Sequence, residues 1–267
     1  MRDIGEYRVG GGECRLGAWR CDDDAGWNKD DCAADFKRLN KRFVELTQLL
    51  YAERRRGLLV VLQGMDTSGK DSTTRAVFKG VSPTGIDATS FKAPTLEESG
   101  HDFLWRVHRH APGAGEIAIF NRSHYEDVLI VRVHNLVPAE RWQRRYEHIN
   151  AFERMLADEG ATVVKFYLHI SKDYQKERLQ KRLAEPDKHW KFNPRDLRER
   201  ALWSDYQAAY EEALARCSKP HAPWYVIPAE KRWFRDWLVT RVLVETLESL
   251  AMRYPAATFD PATIEIE

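Results

Sequence analysis

Five consecutive apolar residues, Leu58 to Leu62, stand between Gly57 and the stretch Gly64-Met65-Asp66-Thr67-Ser68-Gly69-Lys70. A short unbroken apolar run has no face to offer water, so it fits a strand covered on both sides, the condition of a parallel sheet. The stretch that follows reads G-x-x-x-x-G-K. It lies between that strand and a helical pattern over 70–79, the context in which the spacing carries meaning. Its glycines let the backbone curl until successive N–H groups point inward at phosphate oxygens. The N-terminus of the next helix adds partial positive charge, and Lys70 adds a whole one. Gly64, Thr67, Ser68, Gly69, Asp71 and Ser72 are therefore candidate phosphate ligands around Lys70.

The same alternation recurs downstream. Strands are predicted over 88–92, 117–120, 162–168 and 224–227. Helices are predicted over 33–56, 95–109, 123–131, 138–158, 171–184, 195–217 and 230–251. Strands alternating with helices predict an α/β fold, a five-stranded parallel sheet with helices on both faces. No repeat, low-complexity tract or linker interrupts it, so one domain over 34–267 is expected behind a Gly- and Asp-rich N-terminal arm at 1–33.

In open α/β sheets, ligands sit beyond the carboxyl ends of the strands. The end of the 117–120 strand carries Asn121, Arg122, Ser123, His124, Tyr125, Glu126 and Asp127. Arg122 can fork onto phosphate oxygens, while Glu126 and Asp127 suit metal or hydroxyl contacts or simply an acidic helix start. Inside the glycine loop, Asp66 would repel phosphate unless a divalent cation bridges the two. Magnesium is expected, with manganese as the alternative, and Asp66 and Asp127 are its candidate ligands. Asp66 has two other readings: orienting or deprotonating an attacking oxygen, or a structural turn. Asp71 stands where a Ser or Thr usually follows the lysine, so Ser72 or a carboxylate is the substitute ligand.

A third cluster runs from Arg178 to Arg195. It contains Arg178, Lys181, Arg182, Lys188, Lys191 and Arg195 against Glu185 and Asp187, an excess that suits a lid over a highly charged substrate at about 178–200. Pro186 ends the preceding helix. Arg75 and Lys79 extend the positive track along the helix after the loop. Lys92, Asn121, His124, Lys188 and Lys191 are candidates for nucleotide contacts. His101, Asp102, Trp105 and Arg106 are weaker ones, with core packing the better reading for Phe103 and Trp105.

The whole chain carries 42 Lys and Arg against 41 Asp and Glu, a net charge of +1. That excludes a general affinity for nucleic acid and puts anion binding on local clusters. No apolar run approaches the ~18 residues of a membrane span, and residues 1–12 lack the apolar segment of a secretory signal. Cys14, Cys21, Cys32 and Cys217 form no C-x-x-C pair. Reduced thiols in a cytoplasmic protein are expected rather than zinc or disulfides.

Taken together, Gly64 to Asp71, Phe91 to Thr95, His101 to Arg106, Asn121 to Val128, Trp190-Lys191-Phe192 and Ala222 to Ala229 resemble the polyphosphate kinase 2 family across nearly the whole chain. The resemblance implies a fold similar to thymidylate kinase with a helical lid. It also implies magnesium-dependent phosphoryl transfer between inorganic polyphosphate and nucleotides (AMP, ADP, ATP, with GMP and GDP open), and a homo-oligomer, dimer or tetramer. By the same resemblance Lys70, Asp66 and Arg122 are central to catalysis, and Arg178 with its lid neighbours holds the polyphosphate. Many members read Asp-Arg-Ser where this chain has Asn121-Arg122-Ser123, which shifts metal binding toward Asp66 and Asp127. Ser123 to Val128 is similar to the subgroup that accepts nucleoside mono- and diphosphates; diphosphate-restricted members tend to read Ser-Trp-Tyr-Asn-Arg. An ATP-dependent nucleotide kinase and a non-catalytic nucleotide-binding regulator are the competing readings. For oligomer contacts, Trp233 and Trp237 on the last helix are the expected apolar surface.

Overall fold

The structure, a computed structural model, describes residues 3–266. Its first half runs α1 (Lys29–Glu53), β1 (Gly57–Gln63), α2 (Lys70–Val77), β2 (Ile86–Thr89), α3 (Leu96–Ser99), α4 (Trp105–His108), β3 (Ile117–Asn121) and α5 (Ile130–Val133). The second half runs α6 (Ala139–Asp158), β4 (Ala161–His169), α7 (Lys172–Ala184), α8 (Arg195–Ala201), α9 (Trp203–Cys217), β5 (Trp224–Pro228) and α10 (Arg232–Ser249).

All seven residues of β1 are buried, as an apolar run with no polar alternation requires. The sheet is parallel throughout, in the order β2-β3-β1-β4-β5. Leu58 pairs with Ile117 on one side and Thr162 on the other. The carboxyl ends of β3, β1 and β4 therefore lie side by side, and the connections leaving them share one rim of the sheet. α1 packs on α10 and α10 on α2, while α5, α6 and α9 form a second layer. In α1, Leu39, Phe43, Leu46 and Leu50 are buried at helical spacing.

Several boundaries differ from the sequence reading, each for a local reason. α1 begins at Lys29, because Asn28 accepts a hydrogen bond from the Asp31 N–H at 2.9 Å and caps it. Ahead of it, the residues expected to be an irregular arm close the edge of the sheet. The Val9 N–H donates to the Trp224 carbonyl at 2.9 Å, and Tyr7, Val9, Cys14 and Leu16 are buried. An exposed β5 edge would be a template for unwanted pairing. The helix expected over 95–109 is two four-residue turns, since Asp102 Oδ1 accepts from the Leu104 and Trp105 N–H groups and starts a second one. The 195–217 helix breaks at Leu202 into α8 and α9. Trp237 offers no surface for assembly: it is 2% exposed, and its indole N–H donates to Asp35 Oδ2 at 2.9 Å.

Candidate active site

The loop from Gly64 to Gly69 joins β1 to α2 and is shaped by two glycines. At Gly64 (φ +149°) a Cβ would meet the Leu168 carbonyl at 2.7 Å. At Gly69 (φ +102°) it would collide with the Arg235 guanidinium. Both positions demand the absent side chain. Thr67 holds a left-handed φ of 69° without being glycine, as does Arg122 at 62°, and such conformations persist only where the surroundings enforce them.

Lys70 is 9% exposed, and its Nζ reaches back across the loop to donate to the Gly64 carbonyl at 2.6 Å and the Met65 carbonyl at 3.3 Å. Burial and then the neighbouring Arg122 charge push its pKa down to about 8, against the opposing pull of Asp66, Glu126 and Asp71. Arg122 arrives from the end of β3 and donates from Nη2 to Asp66 Oδ1 at 2.9 Å. Glu126 is half-buried; burial raises its pKa while Arg122, Lys70 and a hydrogen bond from Gln63 hold it down. Asn121 donates to Asp71 Oδ1 at 2.5 Å. Ser72 donates to the Gly69 carbonyl at 2.8 Å and accepts from Arg235 at 3.1 Å.

These groups open onto a cleft of about 490 Å³ whose walls carry ten basic side chains and only two acidic ones. α2 contributes Arg75 and α7 contributes Arg178, Lys181 and Arg182. Lys188 and Lys191 come from the turn Pro186–Lys191 beyond α7. Burial and the nearby Arg232, Arg182 and Arg235 charges lower the Arg178 pKa; like charges are crowded here against their own repulsion. Within the lid, Lys181 and Lys188 both contact Glu185, Arg182 lies 3.7 Å from Asp196, and Lys191 sits over the Trp190 ring.

Some expected residues lie elsewhere. His124 is fully buried with its Nε2 3.1 Å from Glu153, so it cannot touch a nucleotide. Asp127 turns from Asp66 to Arg145, which donates to its Oδ1 at 2.8 Å and its carbonyl at 3.0 Å. The two carboxylates expected to share a metal are thus engaged by different arginines. Lys79 is exposed beyond the end of α2 at Val77 and is not part of the cleft wall. Lys92 is exposed two residues past Ser90, which does line the cleft. Arg106 is buried and donates to the Lys92 carbonyl at 2.8 Å, while His101 stacks on Trp105.

Three contributors were missed by the sequence reading. Arg232 and Arg235 line the cleft from the first turn of α10. Gln175 on α7 donates to the Asp66 carbonyl at 3.0 Å and ties the lid's root to the loop. The signal for both arginines was available: α10 follows the carboxyl end of β5, the same rim as the other strand ends. As for a divalent cation, no group of three His, Cys, Asp or Glu among the described residues converges to hold one alone. Magnesium beside phosphate needs only one or two carboxylates plus substrate oxygens. Asp66 fits that role, since one oxygen serves Arg122 and the side chain is 24% exposed at the cleft. The adjacent Thr67 hydroxyl is buried without a hydrogen-bond partner.

Residues 26–255 match the family model for polyphosphate kinase 2. The chain belongs to the polyphosphate kinase 2 family. It is 58% identical over 229 residues to the AMP/ADP-polyphosphate phosphotransferase of Meiothermus ruber, covering 86% of each chain. It is 42% identical over 267 residues to the ADP-polyphosphate phosphotransferase of Rhodopseudomonas palustris, covering 95% of this chain and 92% of that one. Among solved structures, polyphosphate kinase 2 from Arthrobacter aurescens superposes with a TM-score of 0.94 at 43% identity, covering 98% of this chain and 94% of that one. The parallel sheet, glycine loop and basic lid of this family member form a P-loop kinase α/β fold.

Proposed function

We propose that this cleft transfers phosphoryl groups from inorganic polyphosphate to AMP and ADP, forming ATP, and runs in reverse when ATP is abundant. The observation that carries the reading is the wall itself: ten basic side chains around one glycine loop. A nucleotide's few phosphates would leave most of those charges facing one another, whereas a long polyanion satisfies them all. The naming of relatives that are 58% and 42% identical as polyphosphate phosphotransferases supports the same substrate class.

Phosphoryl transfer asks little covalent work of a protein, so catalysis is positioning and charge neutralisation. The loop amides and the Lys70 ammonium hold the transferring group. Arg122, fixed by Asp66, faces it from the β3 side, and Arg178 from the lid. Glu126 sets the charge balance of Lys70 and Arg122 from behind. Asp66 would hold magnesium (or manganese), which would supply charge neutralisation for the phosphate oxygens. The acceptor is itself a phosphate, already ionised at neutral pH, so no general base is required, and Asp66 need not abstract a proton.

The acceptance of both AMP and ADP is the reading of Ser123 to Val128. The test is luminescent detection of ATP from polyphosphate with AMP, ADP, GMP or GDP as the only nucleotide. ATP from AMP and ADP is expected. Product formed only when ATP is supplied as donor would replace this reading with an ATP-dependent kinase, and no turnover with either donor would leave a nucleotide-binding regulator.

A further inference from the structure

Directly behind the Ser123–Asp127 turn lie two charges that the cleft does not use. Glu153 on α6 and Lys165 on β4 are fully buried and form an ion pair. Every donor of Lys165 is satisfied: besides Glu153, its Nζ donates to the Tyr125 hydroxyl oxygen at 2.8 Å and to the Cys217 carbonyl at 2.8 Å. Glu153 Oε1 in turn accepts from the Tyr125 hydroxyl at 2.9 Å and lies 3.1 Å from His124 Nε2. Four side chains from three elements are thus locked into one network with almost no rotational choice.

Stability does not account for such a pair. Desolvating two charges is costly, and replacing a buried pair by apolar residues of similar size is often neutral or stabilising. What the network does fix is the pair of residues just ahead of Glu126. His124 and Tyr125 are gripped from the core side, directly after Ser123, whose Oγ lies 3.3 Å from Gln63 Nε2, and Arg122, which donates to Asp66 Oδ1 at 2.9 Å at the cleft. We infer that Glu153 and Lys165 are positioning residues, which clamp His124 and Tyr125 so that Arg122, just ahead of them, is held against Asp66 at the cleft.

The inference rests on the phosphotransfer reading for its kinetic readout only; amide exchange tests the clamp without turnover. The central variant is Glu153→Leu combined with Lys165→Met, which removes both charges and keeps bulk. Tyr125→Phe is the milder second variant, which removes the hydroxyl's two hydrogen bonds and leaves the ion pair. For the double variant, Tm is expected to stay within about 5 °C of the parent. Its kcat should fall by about 10²-fold, the scale of a small misplacement at the reacting groups. KM for polyphosphate should move less than about twofold. Hydrogen exchange across 121–128 should quicken by about tenfold while β1 and β4 stay protected. Tyr125→Phe should move kcat and exchange the same way by less. A folded double variant with parental kcat, or with unchanged exchange over 121–128, overturns the inference. If the double variant does not fold, unchanged kcat and exchange in Tyr125→Phe overturn it instead. If the parent makes no ATP from polyphosphate, the functional reading fails and the exchange result alone decides this one.

Discussion

Lys70 is buried, cationic and donating to carbonyls of its own loop, and its titration follows from that. Its folded pKa is lowered, by burial first, from 10.5 to about 8. Between those values the unfolded chain keeps a proton that the folded chain has released, so this group's contribution to stability rises as pH rises through that window. On the proposed mechanism catalysis runs the other way, because the cradle uses the ammonium. For the free enzyme, kcat/KM for polyphosphate is expected to fall above about pH 8 as the loop loses its charge. In kcat the same limb should lie at higher pH, since bound polyphosphate restores the proton. Initial rates across pH 6.5 to 10 check this, and identical limbs in the two profiles would remove Lys70 from the assignment. Lys70→Ala should lower kcat by about 10³-fold, the scale of a lost phosphate clamp. Circular dichroism of that variant should match the parent, because the fold gives up only a charge it held at a cost.

The lid shows how far elements could be read in advance. Its basic residues stand out in the sequence as an excess over 178–195, but their engagement with lid acids does not: Lys181 and Lys188 share Glu185, and Arg182 approaches Asp196. On the proposed reading polyphosphate displaces these partly exposed pairs, which water already weakens by screening. Glu185→Gln is therefore expected to lower KM for polyphosphate about twofold to threefold at low salt, and a raised KM would contradict it. Elements with unbroken apolar runs were legible to within a residue or two, as for β1 at Gly57–Gln63 and β4 at Ala161–His169. β2 was misplaced because it is a four-residue edge strand, exposed at Asp87 and Ala88, with little hydrophobic signal to place it. Site residues were legible when the chain's own loop or strand end placed them. His124 and Asp127 were misassigned because spacing shows that a residue is near a strand end and not which way its side chain turns. That choice was made by Glu153 and Arg145, from a helix starting more than ten residues later. Arg235 escaped for the mirror reason, since it reaches the loop from the other end of the chain.

At the scale of the molecule, a net charge of +1 hides a partition. Among the described residues, ten basic side chains and two acidic ones line the cleft, in a sequence with 42 basic and 41 acidic residues, so acidic residues outnumber basic ones elsewhere. The cleft is strongly positive and the rest of the chain negative. Such a molecule draws a polyanion to one place and repels it elsewhere, which a uniformly basic protein of the same cleft could not do. The attraction acts over distances that salt shortens, from a Debye length of about 30 Å at 0.01 M to about 3 Å at 1 M, while groups already in contact are screened much less. Raising KCl from about 0.05 M to 0.5 M should therefore lower kcat/KM for long-chain polyphosphate by about tenfold or more. At saturating substrate, kcat should change by less than about twofold, because Lys70, Arg122 and the loop amides act at contact distance. Initial rates at fixed free magnesium separate the two. A kcat that collapses in step with kcat/KM would mean the charge cluster serves the chemical step itself, and a kcat/KM indifferent to salt would mean the basic wall is not what gathers the substrate.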